Sequence, residues 1–190
     1  MLSKHTESIR EMIKSVVSNG LQPGLSIEER RKFFETTMAP LGLLADTQIE
    51  KINVSSIPAE WVSAPGAQPE RVLLYLHGGG YCIGSCNTHR DLAARLSQVT
   101  GARALSLDYR LAPEHPFPAA VEDATTAFRW LLNEGIPSEH IVIGGDSAGA
   151  GLTLATLLSL RDAGERLPAA AIILSGWMDM TCSGESHNIC

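Results

Sequence analysis

From residue 71 onward the sequence alternates apolar runs of strand length with longer amphipathic stretches, and no other feature restricts the fold as strongly. Residues 71–76 (RVLLYL) are continuously apolar, the pattern of a strand covered on both faces. A helix is expected next, with Thr88 as its cap, Asp91 in its first turn and Leu92, Leu96 and Val99 directed inward. Then come a strand over 102–107, a helix over 119–132 with Val121, Ala124, Phe128 and Leu131 inward, and a strand over 141–143. A helix over 148–162 and a strand over 170–174 complete the series. Alternation at this pitch implies right-handed βαβ units and a mostly parallel, doubly wound α/β sheet. Residues 49–54 and 59–63 are two further short strand candidates, the second broken off by Ala64-Pro65-Gly66.

The first 48 residues read differently. Ile9, Met12, Ile13, Val16 and Val17 form an apolar stripe at helical spacing, interrupted by Asn19-Gly20 and Pro23-Gly24. Ser26 with Glu29 three residues later is a capping box that opens a second helix through Phe33 and Phe34, ending before Pro40. Two short helices ahead of any strand bury little by themselves. Residues 1–48 are therefore expected to form a helical cap segment over a core made by residues 49–190.

Composition narrows the partners. The chain has 190 residues, 44% of them hydrophobic, and a formal net charge of −6. That suits one domain with a real core and supplies no basic stripe for a nucleic-acid backbone. No apolar run reaches the roughly 20 residues of a membrane span, and the N-terminus mixes charges through its apolar positions, unlike a secretory signal. Cys82, Cys86, Cys182 and Cys190 form neither a C-x-x-C pair nor a zinc-spaced cluster with histidine. Free thiols and a cytoplasmic location follow as expectations, with no metal and no cofactor.

Three motifs fall where such a sheet places function, at the carboxyl ends of strands. Gly145-Asp146-Ser147-Ala148-Gly149 stands between a strand and a helix, the setting of a nucleophile elbow. There a strained turn lifts the serine hydroxyl above the sheet at the positive end of a helix. Chymotrypsin-type enzymes share Gly-Asp-Ser but are all-β, which this pattern is not. His77-Gly78-Gly79-Gly80-Tyr81 follows the strand at 71–76, and consecutive glycines leave backbone N–H groups free for a developing oxyanion. Residues 108–118 (DYRLAPEHPFP) read as a stiff loop, with Asp108 and Arg110 as a candidate bracing pair and His115 as a surface histidine.

Taken in order, HGGGY, DYRLAPEHPFPAA and GDSAG resemble the bacterial hormone-sensitive-lipase family of esterases, α/β-hydrolases with an N-terminal helical cap. The resemblance spans residues 71–181. It implies Ser147 as nucleophile, Gly79, Gly80 and Ala148 as oxyanion-hole donors, and Gly78 as the residue shaping that loop. It further implies cofactor-free hydrolysis of short- to medium-acyl carboxylic esters. One departure is Ala150, where the family has a second glycine after GDSAG; local repacking is expected.

A serine hydroxyl needs a base, and the base an orienting acid, in the chain order Ser, Asp or Glu, His. After Ser147 the acids are Asp162, Glu165, Asp179 and Glu185, and the one histidine is His187. The family's acid and histidine follow two further strands, so the sheet is expected to lack its last strands and the triad its acid and base. Residues 169–175 (AAAIILS) would then form an apolar sheet edge, open to a second copy or a complementing fragment. The alternatives are a pseudo-hydrolase that keeps the pocket for ligand binding, or an inactive fragment.

Overall fold

The computed structural model describes residues 6–7, 10–11, 13–14, 18, 24–39 and 42–184. One six-stranded sheet runs in the order β1-β2-β4-β3-β5-β6. Its strands are β1 (Gln48–Val54), β2 (Ile57–Ser63), β3 (Gln68–Leu76), β4 (Ala102–Leu107), β5 (Ile141–Asp146) and β6 (Ala170–Leu174). The first two pair antiparallel with each other and β2 with β4, while β4, β3, β5 and β6 are mutually parallel. Helices α1 (Ile27–Met38), α2 (Cys86–Thr100), α3 (Ala119–Asn133) and α4 (Ala148–Asp162) accompany them. The expected α/β-hydrolase architecture, helices on both faces of a mostly parallel sheet, is the one observed.

Strand alternation divides the core in two. Val72, Leu74 and Leu76 of β3 face one side, where Phe128 and Leu131 of α3 and Leu152 and Leu160 of α4 cover them. Leu73 and Tyr75 face the other, against Ala93 and Ala94 of α2. Burying each large apolar side chain contributes about 1.5–3 kcal/mol, so a strand apolar on every position needs both layers.

Three sequence expectations need correction. Ser85, not Thr88, caps α2; Thr88 is its reciprocal partner three residues on, the two exchanging backbone-to-side-chain hydrogen bonds. Val99 is 76% exposed, because α2 lies on the sheet through Ala93, Ala94 and Ser97, small residues that admit a close approach. Asp108 and Arg110 do not pair. Asp108 accepts from the Cys86 N–H at 2.5 Å at the start of α2, while Arg110 reaches forward to Asp123 and Glu122 of α3. Ile9, Met12, Val16 and Val17 lie outside the described residues, and Ile13 is exposed.

The capping box at Ser26 and Glu29 is formed as expected. Helix α1 is then fastened to the loops that follow β3 and β4. Arg31 donates through Nε to the Cys82 carbonyl at 2.8 Å, through Nη2 to the Ala112 carbonyl at 2.9 Å, and bidentately to Glu114 at 2.8 and 2.7 Å. Glu35 accepts from Ser85 and Asn87. At the opposite end of the sheet, β6 pairs with β5 and with no other strand among the described residues.

Arg31 holds the Glu114 carboxyl down at about 2, below its ordinary value near 4.3. A depressed carboxylate stabilises above the unfolded value and ceases to do so as pH falls through the folded one. Protection of the α1 amides, measured relative to intrinsic exchange, is therefore expected to hold down to about pH 4 and to fall between about 4 and 2. Arg31→Ala is expected to lower that protection at every pH.

Candidate active site

The strand register brings the two glycine motifs together. Leu76, the last residue of β3, pairs with Gly145 near the end of β5, so the loop after β3 and the turn after β5 leave the sheet side by side. A Cβ on Gly149 would overlap the Leu76 carbonyl oxygen and crowd that of His77, and one on Gly145 would overlap the same Leu76 oxygen. Hydrogen at both positions lets the first turn of α4 press directly on the backbone of β3. The extra methyl at Ala150 is fully buried and is tolerated because its neighbour across the turn is Gly176, where a Cβ would lie 3.2 Å away.

Ser147 sits at the junction with φ 51° and ψ −116°, a backbone conformation unusual for a residue with a side chain. Its amide donates to the Leu174 carbonyl and its own carbonyl accepts from Trp177, both at 2.9 Å, so β6 and the segment after it hold the turn. Serine at a helix N-cap ordinarily turns its hydroxyl onto the first-turn amides. Here the side chain makes no capping bond and is exposed. The hydroxyl is left free at the positive end of α4.

In the loop after β3 the carbonyls are taken up one by one. That of His77 accepts from the Tyr109 hydroxyl at 2.7 Å, and that of Gly78 from His77 Nδ1 at 2.8 Å. The Gly79 carbonyl accepts from the amides of Cys82 and Ile83, and that of Tyr81 from Ala112. In a planar trans peptide the next N–H points opposite to the carbonyl. Fixing the Gly78 and Gly79 carbonyls inward therefore turns the Gly79 and Gly80 N–H groups outward. Ala148, fully buried, follows Ser147 in sequence and supplies the first amide of α4.

His77 cannot serve as a base. It is 1% exposed, stacked against Tyr109 with ring centroids 4.3 Å apart, and its Nδ1 must carry the proton given to a carbonyl. Burial, with the neighbouring His89 adding to it, lowers its pKa to about 4. Behind the elbow, Asp146 accepts from the Tyr75 hydroxyl at 2.5 Å and the Gly78 amide at 3.0 Å, and lies 3.6 Å from His89 Nε2. Burial alone would raise this carboxyl; the His89, Tyr75 and Gly78 contacts outweigh it and hold the pKa below its ordinary value. His89 comes from α2 and carries no motif, so sequence reading had no signal for this cluster.

Other histidines and acids stand apart from Ser147. His140 precedes β5, at the far end of that strand from Ser147. His115 is exposed. Asp162 and Glu165 lie at the far end of α4, paired with Arg161 and Arg129. Asp179 folds onto its own turn, accepting from Thr181 and Ser183, which holds its carboxyl below the ordinary range. Glu185 and His187 lie outside the described residues.

Two apolar cavities flank the site. One of about 510 Å³ runs from Gly79 and Gly80 past Cys82 and Ile83 to Leu25 and Ile27, at and just before the start of α1. The other, about 540 Å³, lies along α4 between Tyr81, Leu154, Leu158 and Trp177. No group of three or more His, Cys, Asp or Glu side chains among the described residues could hold a metal ion, and no described helix is long and apolar enough to cross a membrane.

Known proteins share this fold. The sequence profile described as the alpha/beta hydrolase fold matches residues 73–189. The chain belongs to the α/β-hydrolase family. It is 45% identical over 187 residues to an acetyl-hydrolase of Streptomyces hygroscopicus, a match covering 98% of this chain and 61% of that protein. It is 37% identical over 139 residues to an esterase of Acinetobacter venetianus, covering 73% and 46%. A crystal structure of an esterase from the bacterial hormone-sensitive-lipase family superposes with a TM-score of 0.91 at 45% identity, covering 100% of this chain and 63% of that one. The resemblance read from the three motifs thus extends to the whole described fold. The chain spans about three fifths of the length of the acetyl-hydrolase and of the crystallised esterase, and less than half of the Acinetobacter esterase.

Backbone strain at Ser147 makes a stability prediction. A residue held in a sparsely populated region costs about 1–3 kcal/mol, and glycine relieves it against roughly 0.5–1 kcal/mol of added chain entropy. Ser147→Gly is expected to raise the free energy of unfolding by about 1 kcal/mol in denaturant titration, while Ser147→Ala leaves it unchanged within about 0.5 kcal/mol.

Proposed function

We propose that this chain carries the nucleophile and the oxyanion site of a serine carboxylic ester hydrolase acting on short- to medium-acyl esters of small molecules. The observation that carries the reading is the free Ser147 hydroxyl on a strained turn at the head of α4, beside a loop whose His77, Gly78, Gly79 and Tyr81 carbonyls are tied back. The names of the relatives, acetyl-hydrolase and esterase, support the reaction class.

In this reaction Ser147 Oγ attacks the ester carbonyl carbon as a base takes its proton. The carbonyl oxygen becomes an oxyanion held by the Gly79, Gly80 and Ala148 amides. The alcohol leaves with a proton returned by that base, and water then cleaves the acyl-serine by the same two steps. The base and its acid are assigned to the part of the relatives' length outside this match, since among the described histidines His77 and His89 are held behind the elbow and His115 and His140 stand apart from Ser147. The cavity beginning at Gly79 and Gly80 takes one side of the ester, with α1 as its cap. The chemistry uses no cofactor, and the unpaired cysteines suit a cytoplasmic setting.

The test is turnover of 4-nitrophenyl acetate and butyrate by the protein at the full length of its relatives. Ser147→Ala is expected to lower kcat by at least about 10⁴-fold. Gly79→Ala, whose Cβ would overlap the Ile83 carbonyl, should lower kcat by about 100-fold by disturbing an oxyanion donor. Ester binding without turnover, or turnover indifferent to Ser147→Ala, would replace the hydrolase by a ligand-binding protein or by another site.

A further inference from the structure

Of the groups that the proposed reaction leaves unused, the cluster behind the elbow is the one most closely joined to it. Asp146 immediately precedes Ser147, yet its side chain points away from the cavity and into the loop after β3. Oδ1 accepts from the Gly78 amide at 3.0 Å and from the Tyr75 hydroxyl at 2.5 Å. Oδ2 faces His89 Nε2 at 3.6 Å and packs so near the Gly78 Cα that a Cβ there would overlap it. His89 is itself fixed, within 2.8 Å of Thr88 Oγ1 through Nδ1 and with ring contacts to His77, Tyr75 and Phe34 of α1.

Gly78 is thereby held at both ends. Its N–H is bound to Asp146, its carbonyl to His77. Two fixed ends leave the 78–79 peptide plane one orientation, and that plane carries the Gly79 N–H. We propose that Asp146 is a positioning residue for the oxyanion site, coupling the glycine loop after β3 to the turn bearing Ser147. This rests on the hydrolase reading given above. One carboxylate then sets both partners of the reaction: its backbone leads into the nucleophile and its side chain orients the donor loop. Such a link acts on the transition state, where the oxyanion forms, rather than on substrate capture.

The experiment compares Asp146→Ala and Asp146→Asn in the full-length protein, by steady-state kinetics and by hydrogen exchange at the Gly78 amide. Asparagine keeps an oxygen acceptor for Gly78 and Tyr75; alanine does not. Alanine is expected to lower kcat by about 100-fold with KM changed less than about threefold, and to abolish protection of the Gly78 amide. Asparagine is expected to restore protection and to bring kcat within about tenfold of wild type. If Asp146→Ala fails to fold, Asp146→Ser, whose hydroxyl is too short to reach Gly78, takes its place with the same expectation. Wild-type kcat in the alanine or serine variant, or equal losses in alanine and asparagine variants of unchanged melting temperature, would overturn the proposal. Absence of Ser147-dependent turnover in the wild type would defeat the hydrolase reading instead. In that case Gly78 exchange still decides whether the clamp exists, and a protected amide in the alanine variant refutes it.

Discussion

The Leu76 carbonyl oxygen is where the structure is tightest. It ends the central strand β3, and both Gly145 and Gly149 bring their backbones against it where no Cβ would fit. That close approach fixes how far the head of α4 lies from the loop after β3. The proposed chemistry depends on that spacing: the turn bearing Ser147 and the loop after β3 leave the sheet side by side, with no side chain between their backbones. The strained backbone of Ser147 is the cost of turning from strand to helix in so little space, offset by the packing of β3 and β5 beneath it.

Around this contact the molecule uses backbone carbonyls as anchors. Those of His77, Gly78, Gly79 and Tyr81 each have a donor, from Tyr109, His77, the following turn and Ala112. Two of these donors belong to the stiff 108–118 loop, which Arg31 of α1 fastens in turn through Ala112 and Glu114. The loop that looks like a spacer is thus a splint for the glycines, and the helix before the sheet is a splint for the loop. Buried charge follows the same economy. Asp146 stays ionised below its ordinary range because three donors meet it, and the one histidine next to the glycine loop is kept neutral by burial.

Much of this was legible in the sequence. The central strands β3 and β5 announced themselves as apolar runs because strands covered on both faces cannot tolerate polar alternation, and the elbow and glycine loop are local patterns whose residues are chemically irreplaceable. Less legible were contacts between segments far apart in sequence. The Ser85–Thr88 capping box is reciprocal, so either residue looks like the cap. Val99 has the spacing of an inward residue, but the helix turned its alanine face to the sheet. Arg110 found Asp123 thirteen residues on rather than Asp108 two away, because a strand end and a following helix meet there. His89 shows nothing in sequence of its role beside Asp146, which the crossover of α2 behind the elbow creates.

The proposed reaction stands or falls on Ser147 Oγ as the reacting atom. Treating the full-length protein with a fluorophosphonate and mapping the adduct by peptide mass spectrometry tests it without assuming a substrate. A single stoichiometric adduct on Ser147 is expected, formed at a rate that falls when Gly79 is replaced by alanine. An adduct on another residue, or none in a protein that hydrolyses esters, would contradict it.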